Sequence, residues 1–266
     1  MALTPLAVDL EATSLSRFVT DARQLGLDVP KSVDDELKLH RRLTNDPLGT
    51  HQALARAQSA LHAAPIDKVD AALDVLAEAT VQAGAAQALG ETVRQIAVAR
   101  LRHVVYDQLD GWEKQAVEAA NGVVEAHKLN AVAADLPDLV ALVSPVDLSH
   151  TQSRAVQRFR EAADLLHPLW RLYTKIAIEH GHDVGPGGAD GLSTNLSLAC
   201  RLGNPGSFSR AQSAALIFAS IGAGSDAARR YGQLAPFCVP ALVGYELHLS
   251  TSEDAARIRR QIQPAA

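Results

Sequence analysis

Residues 66–83 read IDKVDAALDVLAEATVQA and carry the strongest periodic pattern of the chain. The positions of the pattern follow spacings of three and four residues in turn: Ile66, Val69, Leu73, Leu76, Thr80 and Ala83. This heptad spacing places the side chains along one stripe of an α-helix. The pattern lasts for less than three heptads, and a long coiled coil needs more. The stretch therefore predicts a packed helix but does not establish a long coiled coil.

An apolar pattern with spacings of three or four residues resumes after the glycine-containing stretch AGAAQALG at residues 83–90. Two arrangements are open: one helix that bends near Gly84 and Gly90, or two helices that form a hairpin there. Each glycine weakens a helix by about 1 kcal/mol relative to alanine, and Gly90 can adopt the left-handed conformation that ends a helix. We therefore predict the hairpin. The residues that continue the pattern are Val93, Ala97, Leu101, Val105, Leu109, Trp112, Ala116, Ala119 and Val123.

A second long helix is predicted after Ser149, which forms a capping box with Gln152. Pro168 lies inside its pattern and predicts a kink, because proline removes one backbone hydrogen bond. Gly181 predicts the end of the helix. The apolar positions are again three and four residues apart: Val156, Phe159, Ala163, Leu166, Trp170, Tyr173 and Ala177.

Shorter helices are predicted on both sides of these two. Their expected caps are Ser14, Ser32, Thr50, Ser209 and either Thr251 or Ser252. The helix after Ser14 presents an apolar face and is expected to end at Gly26. That face consists of Leu15, Phe18, Val19, Ala22 and Leu25.

Two stretches indicate strands rather than helices. Residues 136–148 (LPDLVALVSPVDL) form a Leu/Val-rich segment between prolines, and the later segment PALVGYELHLS has apolar Leu242, Leu247 and Leu249 beside Tyr245. A lone strand is not stable, so we expect the second to pair with residues 139–146 or with a neighbouring subunit.

These patterns together predict the fold class: mainly α, a helical bundle or hairpin with a small α+β C-terminal part of one or two short strands. We expect a helical region over residues 1–135 with the central hairpin. Residues 136–266 would then hold the long kinked helix, a glycine-rich loop and the small strand–helix region.

Composition restricts the classes of function. The chain of 266 residues is 47% hydrophobic and 21% charged, which is ordinary for a globular protein, and its net charge of −5 argues against nucleic-acid binding. Arg257, Arg259 and Arg260 on the last helix are expected to form a solvated face. The N-terminus lacks a basic region, so we expect no signal peptide and a cytoplasmic protein, or one built into a particle inside the cell.

Residues 180–190 (HGHDVGPGGAD) are the best chemical lead. His180 and His182 with Asp183 or Asp190 could ligate zinc or a similar ion. Every one of these residues also serves to end a helix and begin a loop, and this second interpretation is the one that we adopt. We therefore predict no metal-binding residue and no cofactor.

Catalytic signatures are not found. The sequence lacks GxSxG, GxxxxGK[ST] and HExxH motifs, and it has no GxGxxG after a strand. Cys200 and Cys238 lie in apolar settings and are expected to pack as small hydrophobic residues. We predict that the protein is not an enzyme and has no catalytic residue.

The function expected from these observations is a non-enzymatic assembly protein that packs against copies of itself or against other subunits. A component of a bacteriophage or another virion particle belongs to this class. The expected interaction residues are Leu73, Leu76, Tyr245, Leu247 and Leu249. The alternative is a metal-dependent enzyme whose site is the glycine-rich region 180–208.

Overall fold

The computed structural model describes residues 5–45, 49–137, 148–182, 191–223 and 234–263, and this part of the chain is mainly α-helical. Its helices are α1 (Pro5–Gln24), α2 (Lys31–Asn45), α3 (Thr50–Ala63), α4 (Val69–Tyr106), α5 (Leu109–Ala126), α6 (Leu129–Val132), α7 (His150–Glu179), α8 (Leu192–Arg201), α9 (Phe208–Gly222), α10 (Ala235–Val243) and α11 (Ser252–Ile262). Short 3-10 turns cover Ile66–Lys68 and Ala133–Asp135. Among the described helices, none combines the length and apolarity that a bilayer crossing requires.

The chain divides into two compact units, Met1–Leu109 and Asp110–Ala266. The predicted boundary between residues 135 and 136 lies inside the second unit.

The first unit is organised around α4, on which α1, α2 and α3 all pack. The predicted apolar face of α1 is confirmed at Leu15, Phe18, Val19 and Ala22, which are buried. The helix nevertheless begins at Pro5, so Ser14 lies within it and the predicted cap is wrong. Ion pairs attach the neighbouring helices to α4 as well, since Arg100 contacts Glu36 at 2.5 Å and Arg102 contacts Glu11.

The predicted hairpin at residues 84–90 is wrong. Helix α4 is continuous from Val69 to Tyr106, and neither Gly84 nor Gly90 has a positive φ. The two glycines weaken the helix by about 2 kcal/mol in total. Helix packing outweighs this cost, because α1, α2 and α3 supply tertiary contacts along α4.

In the second unit, α7 begins and ends as the sequence predicts. Ser149 Oγ accepts the Gln152 N–H at 3.2 Å, and the Gln152 side chain accepts the Ser149 N–H at 2.9 Å. Gly181 has φ +78, with the Gly181 N–H bonded to the Ile178 carbonyl and the His182 N–H to the Ala177 carbonyl. This is the Schellman arrangement that closes a helix. The helix continues through Pro168.

The predicted C-terminal strand is wrong, and the described residues contain no strand. The sequence before Gly244 belongs to α10, and residues 245–250 are extended without a strand partner. The other predicted strand, within residues 136–148, lies almost wholly outside the described residues, which stop at residue 137 and resume at residue 148.

Side-chain amides and helix-terminal carbonyls replace the missing strand partner of residues 245–250. Asn130 accepts the Leu247 N–H at 2.9 Å and donates to the Leu247 carbonyl at 3.1 Å. Asn121 does the same with Leu249, at 2.8 and 2.9 Å. On alternate residues, the His248 and Ser250 N–H groups donate to the carbonyls of residues 202 and 201 at the end of α8. The extended segment is therefore hydrogen-bonded on both edges within its own unit.

Candidate functional site

A row of exposed apolar residues runs along α4 at intervals of four residues. We call it the apolar ridge, and it consists of Leu73, Ala77, Val81, Ala85 and Leu89. The large side chains Leu73, Val81 and Leu89 are 46%, 73% and 53% exposed. Residues four apart on an α-helix form one of the continuous surface ridges by which helices pack. The ridge thus has the form of a helix-packing surface, and its large side chains remain partly exposed among the described residues.

The buried side of α4 explains why the ridge is left open. Ala79, Ala97, Leu101 and Val105 are buried. The heptad stripe from which the helix was predicted is only partly covered, because Leu73 is exposed and Leu76 is half-buried.

The predicted interaction residues fall into two groups. Leu73 belongs to the apolar ridge and Leu76 lies half-buried beside it, so both remain candidates. Tyr245, Leu247 and Leu249 are buried in the second unit. The Tyr245 hydroxyl donates to the Ala199 carbonyl at 3.4 Å, which places this ring among the residues of its own chain.

The second unit contains a polar cavity of about 320 Å³ between α5, the end of α7 and the start of α11. Three carboxylates, a lysine, two histidines and two hydroxyls line it: Asp110, Glu113, Lys114, His180, His182, Thr251, Ser252 and Glu253, with Ala256 beside them. The cavity brings together residues that are far apart in the sequence, and it includes both histidines of the best chemical lead.

The histidines occupy the cavity because the Schellman closure of α7 turns the chain at Gly181. His180 Nε2 lies 3.5 Å from Asp110 Oδ1. Burial lowers the pKa of His182, and the positive charge of Arg201 and the neighbouring His180 lower it further. His182 therefore favours its neutral form, in which one ring nitrogen is free to accept a hydrogen bond.

A buried hydrogen-bond network starts from two of the residues that line the cavity, Glu113 and Ser252. Glu113 accepts the Ser252 N–H at 2.9 Å and the Ser252 hydroxyl at 2.5 Å. Arg201 donates to Ser252 Oγ at 2.9 Å and to the Tyr173 hydroxyl. The Tyr173 hydroxyl in turn donates to the Ser250 carbonyl at 3.0 Å. Burial raises the pKa of Tyr173 to about 12, so the phenol stays protonated and serves as a donor.

The Ser252 hydroxyl bridges two buried charged side chains, Glu113 and Arg201. Among the described residues, the buried Nε of Arg201 has no hydrogen-bond partner. The network also anchors the first residue of α11 to α5. The sequence patterns missed Glu113, Arg201 and Ser252, as well as Asn121 and Asn130. Each is a polar residue near apolar helix positions. In most of these contacts the partner lies more than 100 positions away, so no local spacing in the sequence reveals the pairing.

Metal ligands do not cluster in the part of the chain that the structure describes, where no group of three or more His, Cys, Asp or Glu residues could hold an ion. Asp183 and Asp190, which complete the predicted alternative site, lie outside the described residues. Cys200 and Cys238 are free and buried. Burial raises the pKa of Cys200 to about 11, which disfavours its nucleophilic thiolate form.

Two arginines of the last helix, Arg257 and Arg259, contact residues of their own unit. Arg259 donates to Ser193 Oγ at 2.8 Å and to Ser197 Oγ, which attaches α11 to α8. Arg257 forms an ion pair with Asp254 at 2.5 Å.

Comparison of the chain with known protein families, with curated proteins and with solved structures finds no match.

Proposed function

We propose that the protein is a non-enzymatic subunit of a multi-subunit assembly and acts by protein–protein contact through the apolar ridge of α4. The exposure of Leu73, Val81 and Leu89 carries this proposal. A large apolar surface left open on a folded protein is typical of an interaction site.

The size of the effect supports the proposal. Complete burial of an exposed leucine or valine side chain contributes about 1.5–3 kcal/mol. Leu73 and Leu89 are sixteen residues apart, so the ridge extends about 24 Å along α4 and turns about 160° around the helix axis. A bacteriophage particle is one assembly of this kind, and the protein would be one of its structural components.

Light scattering of the purified protein, together with negative-stain electron microscopy, tests the proposal. We expect a mass above that of one chain, 28.2 kDa, or a partner protein that co-purifies in fixed proportion. A monodisperse monomer without a partner contradicts the proposal.

The polar cavity supports a second candidate function, an enzyme whose site includes His180 and His182. Metal analysis of the purified protein and screening for a bound small molecule test this candidate. A bound metal or ligand that is lost in the His182→Ala variant supports it. If the His182→Ala variant keeps the same content of bound metal and ligand as the original protein and its stability changes only slightly, this candidate is contradicted.

A further inference from the structure

We propose that the polar cavity of the second unit binds a small organic cation that carries a primary ammonium group. The proposal concerns binding alone and requires no reaction. It is independent of assembly through the apolar ridge, and for the second candidate function it names the class of ligand that the site would hold.

The cavity has a buried floor and an exposed mouth. Glu113 and Ser252 line the floor and are 5% and 7% exposed, whereas Lys114 and Glu253 are exposed and line the mouth. The Ser252 N–H and hydroxyl both donate to Glu113 and are therefore used within the protein. A ligand that reaches the floor meets the carboxylate of Glu113.

One oxygen of this buried carboxylate is left for a ligand. Both hydrogen bonds that Glu113 accepts end on Oε1. Among the described residues, Oε2 has no hydrogen-bond partner, and protein atoms do not enclose it completely. Because Glu113 lines the cavity, Oε2 opens into it. A buried charged oxygen with room for a further hydrogen bond favours a ligand that donates one.

Other groups of the lining also offer acceptors. The carboxylate of Glu253 has neither a hydrogen bond nor an ion pair among the described residues. The ring of His182 favours its neutral form, in which one nitrogen accepts. An ammonium group has three N–H donors and no acceptor, so it matches this lining. A metal ion does not, because no group of three or more suitable ligands occurs among the described residues.

Charge favours a cation over an anion. Three carboxylates and one lysine line the cavity. With both imidazoles neutral, negative charge remains in excess even when the guanidinium of Arg201, which donates to Ser252, is included. The positive end of α11 already has Glu253 and Asp254 in its first turn. A bound anion would therefore lie among like charges, which is unfavourable.

The volume of the cavity limits the size of the ligand. It is about 320 Å³, at the low end of the range for small-molecule sites. Since a molecule of liquid water occupies about 30 Å³, the cavity holds roughly ten non-hydrogen atoms. The side chains that line it are polar apart from Ala256. We therefore expect a short, hydrophilic amine.

Three probes of equal chain length test the ligand class. Putrescine has an ammonium group at each end of four carbons, the butanediol with terminal hydroxyls is its neutral counterpart, and succinate is its anionic counterpart. Isothermal titration calorimetry of the whole chain at about pH 8 measures binding. We expect putrescine to bind at one site with a Kd of about 1 mM or lower. The diol and succinate should each bind at least about tenfold more weakly.

Charge variants at the floor and at the mouth test the site with opposite signs. Glu113→Gln removes the charge but keeps an oxygen that can accept the hydrogen bonds of Ser252, and we expect it to weaken putrescine binding at least about tenfold. Lys114→Gln removes a like charge, so we expect it to strengthen binding about threefold. Glu118→Gln, on the same helix and outside the cavity, is the matched control and should leave binding unchanged. Circular dichroism verifies that the helices form in each variant.

Several results overturn this proposal. They are the absence of saturable putrescine binding, equal binding of the neutral diol, and weaker putrescine binding in Lys114→Gln. The last of these decides the question even if Glu113→Gln does not fold, because Lys114 is exposed. Binding of succinate or of a metal ion in place of putrescine also overturns the proposal, while the second candidate function stands. Light scattering tests assembly through the ridge separately.

Discussion

Gly203 shows how a single residue controls local packing in the second unit. A Cβ atom at this position would overlap the backbone carbonyl oxygen of Glu246 and lie 2.8 Å from Cδ2 of Tyr245. Glu246 and Tyr245 belong to the extended segment that α5 and α6 hold through their asparagines. The backbone of that segment cannot move away without loss of hydrogen bonds.

We therefore expect Gly203→Ala to lower the free energy of unfolding by about 3 kcal/mol through overpacking. Gly122, inside α5, is the control because a Cβ there meets no atom within 4 Å. Gly122→Ala should raise the free energy of unfolding by about 1 kcal/mol, since alanine is the better helix former. Urea unfolding measures both, and effects of the same sign would contradict the structure around Gly203.

Glu113 is a buried carboxylate whose loss would leave both donor groups of Ser252 without their acceptor. We expect Glu113→Ala to destabilise the protein by about 3 kcal/mol, because buried donors without partners and hydrogen bonds to charged groups are costly to lose. Glu118 lies exposed on the same helix, and Glu118→Ala should change the stability by less than about 0.5 kcal/mol. Similar urea midpoints for the two variants would show that the network contributes little.

At the scale of elements, α4 is the clearest case in which the sequence pattern was ambiguous. Gly84→Ala and Gly90→Ala should each raise the free energy of unfolding by about 1 kcal/mol, since both positions are helical and a Cβ at either meets no neighbour within 4 Å. A hairpin with Gly90 in the left-handed conformation gives the opposite result for Gly90→Ala. Thermal unfolding of the two variants distinguishes a continuous helix from a hairpin.

The extended segment 245–250 makes a prediction for individual amide groups. Asn130→Ala should speed hydrogen exchange at the Leu247 amide, and Asn121→Ala should speed it at the Leu249 amide. Each variant is the control for the other, because each asparagine holds a different residue. Equal acceleration of both amides in either variant would instead indicate loosening of the whole segment.

The same segment shows why one element was predicted wrongly. Alternating Tyr245, Leu247 and Leu249 are all buried, as the strand interpretation requires, and the backbone is extended. What the pattern could not reveal is the identity of the hydrogen-bond partners. Those partners are two asparagines on helices that lie far away in the sequence, and periodicity carries no information about such contacts.

Helix ends were predicted best where local chemistry decides them. The capping box at Ser149 and the glycine at position 181 act within a few residues, so the sequence contains the whole interaction. The hairpin prediction failed because the helices packed on α4 decide whether a glycine ends a helix, and local propensity does not include them.

At the scale of the whole molecule, both candidate sites needed tertiary structure to become visible. The sequence located Leu73 and the two histidines, but the apolar ridge is defined by which face of α4 the other helices leave open. The polar cavity likewise depends on α5 and α11 meeting the end of α7.

Acid stability is a property of the whole second unit to which His182 contributes. Because the pKa of His182 is lowered on folding, the unfolded chain takes up its proton at a higher pH than the folded protein does. This contribution to stability is present above about pH 6.5 and is lost as the pH falls through the lowered pKa. We expect His182→Gln to reduce the loss of stability between about pH 7 and pH 5, measured by urea unfolding, whereas His127→Gln serves as the control.

An unchanged pH profile in His182→Gln would show that other groups cause the acid sensitivity. A change of equal size in His127→Gln would show that the effect is not specific to the cavity.

The asparagine-held segment also affects how the chain folds as it is synthesised. Asn121 cannot form its hydrogen bonds with Leu249 until that residue, 128 positions later, has been synthesised. At roughly 5–20 residues per second, this delay is on the order of ten seconds. All residues of the first unit have left the ribosome's catalytic centre before that interval begins. During translation, therefore, α5 and α7 are made well before the backbone that completes their hydrogen bonds. A nascent chain halted before residue 245 would leave the side chains of Asn121 and Asn130 without the backbone groups that they bind.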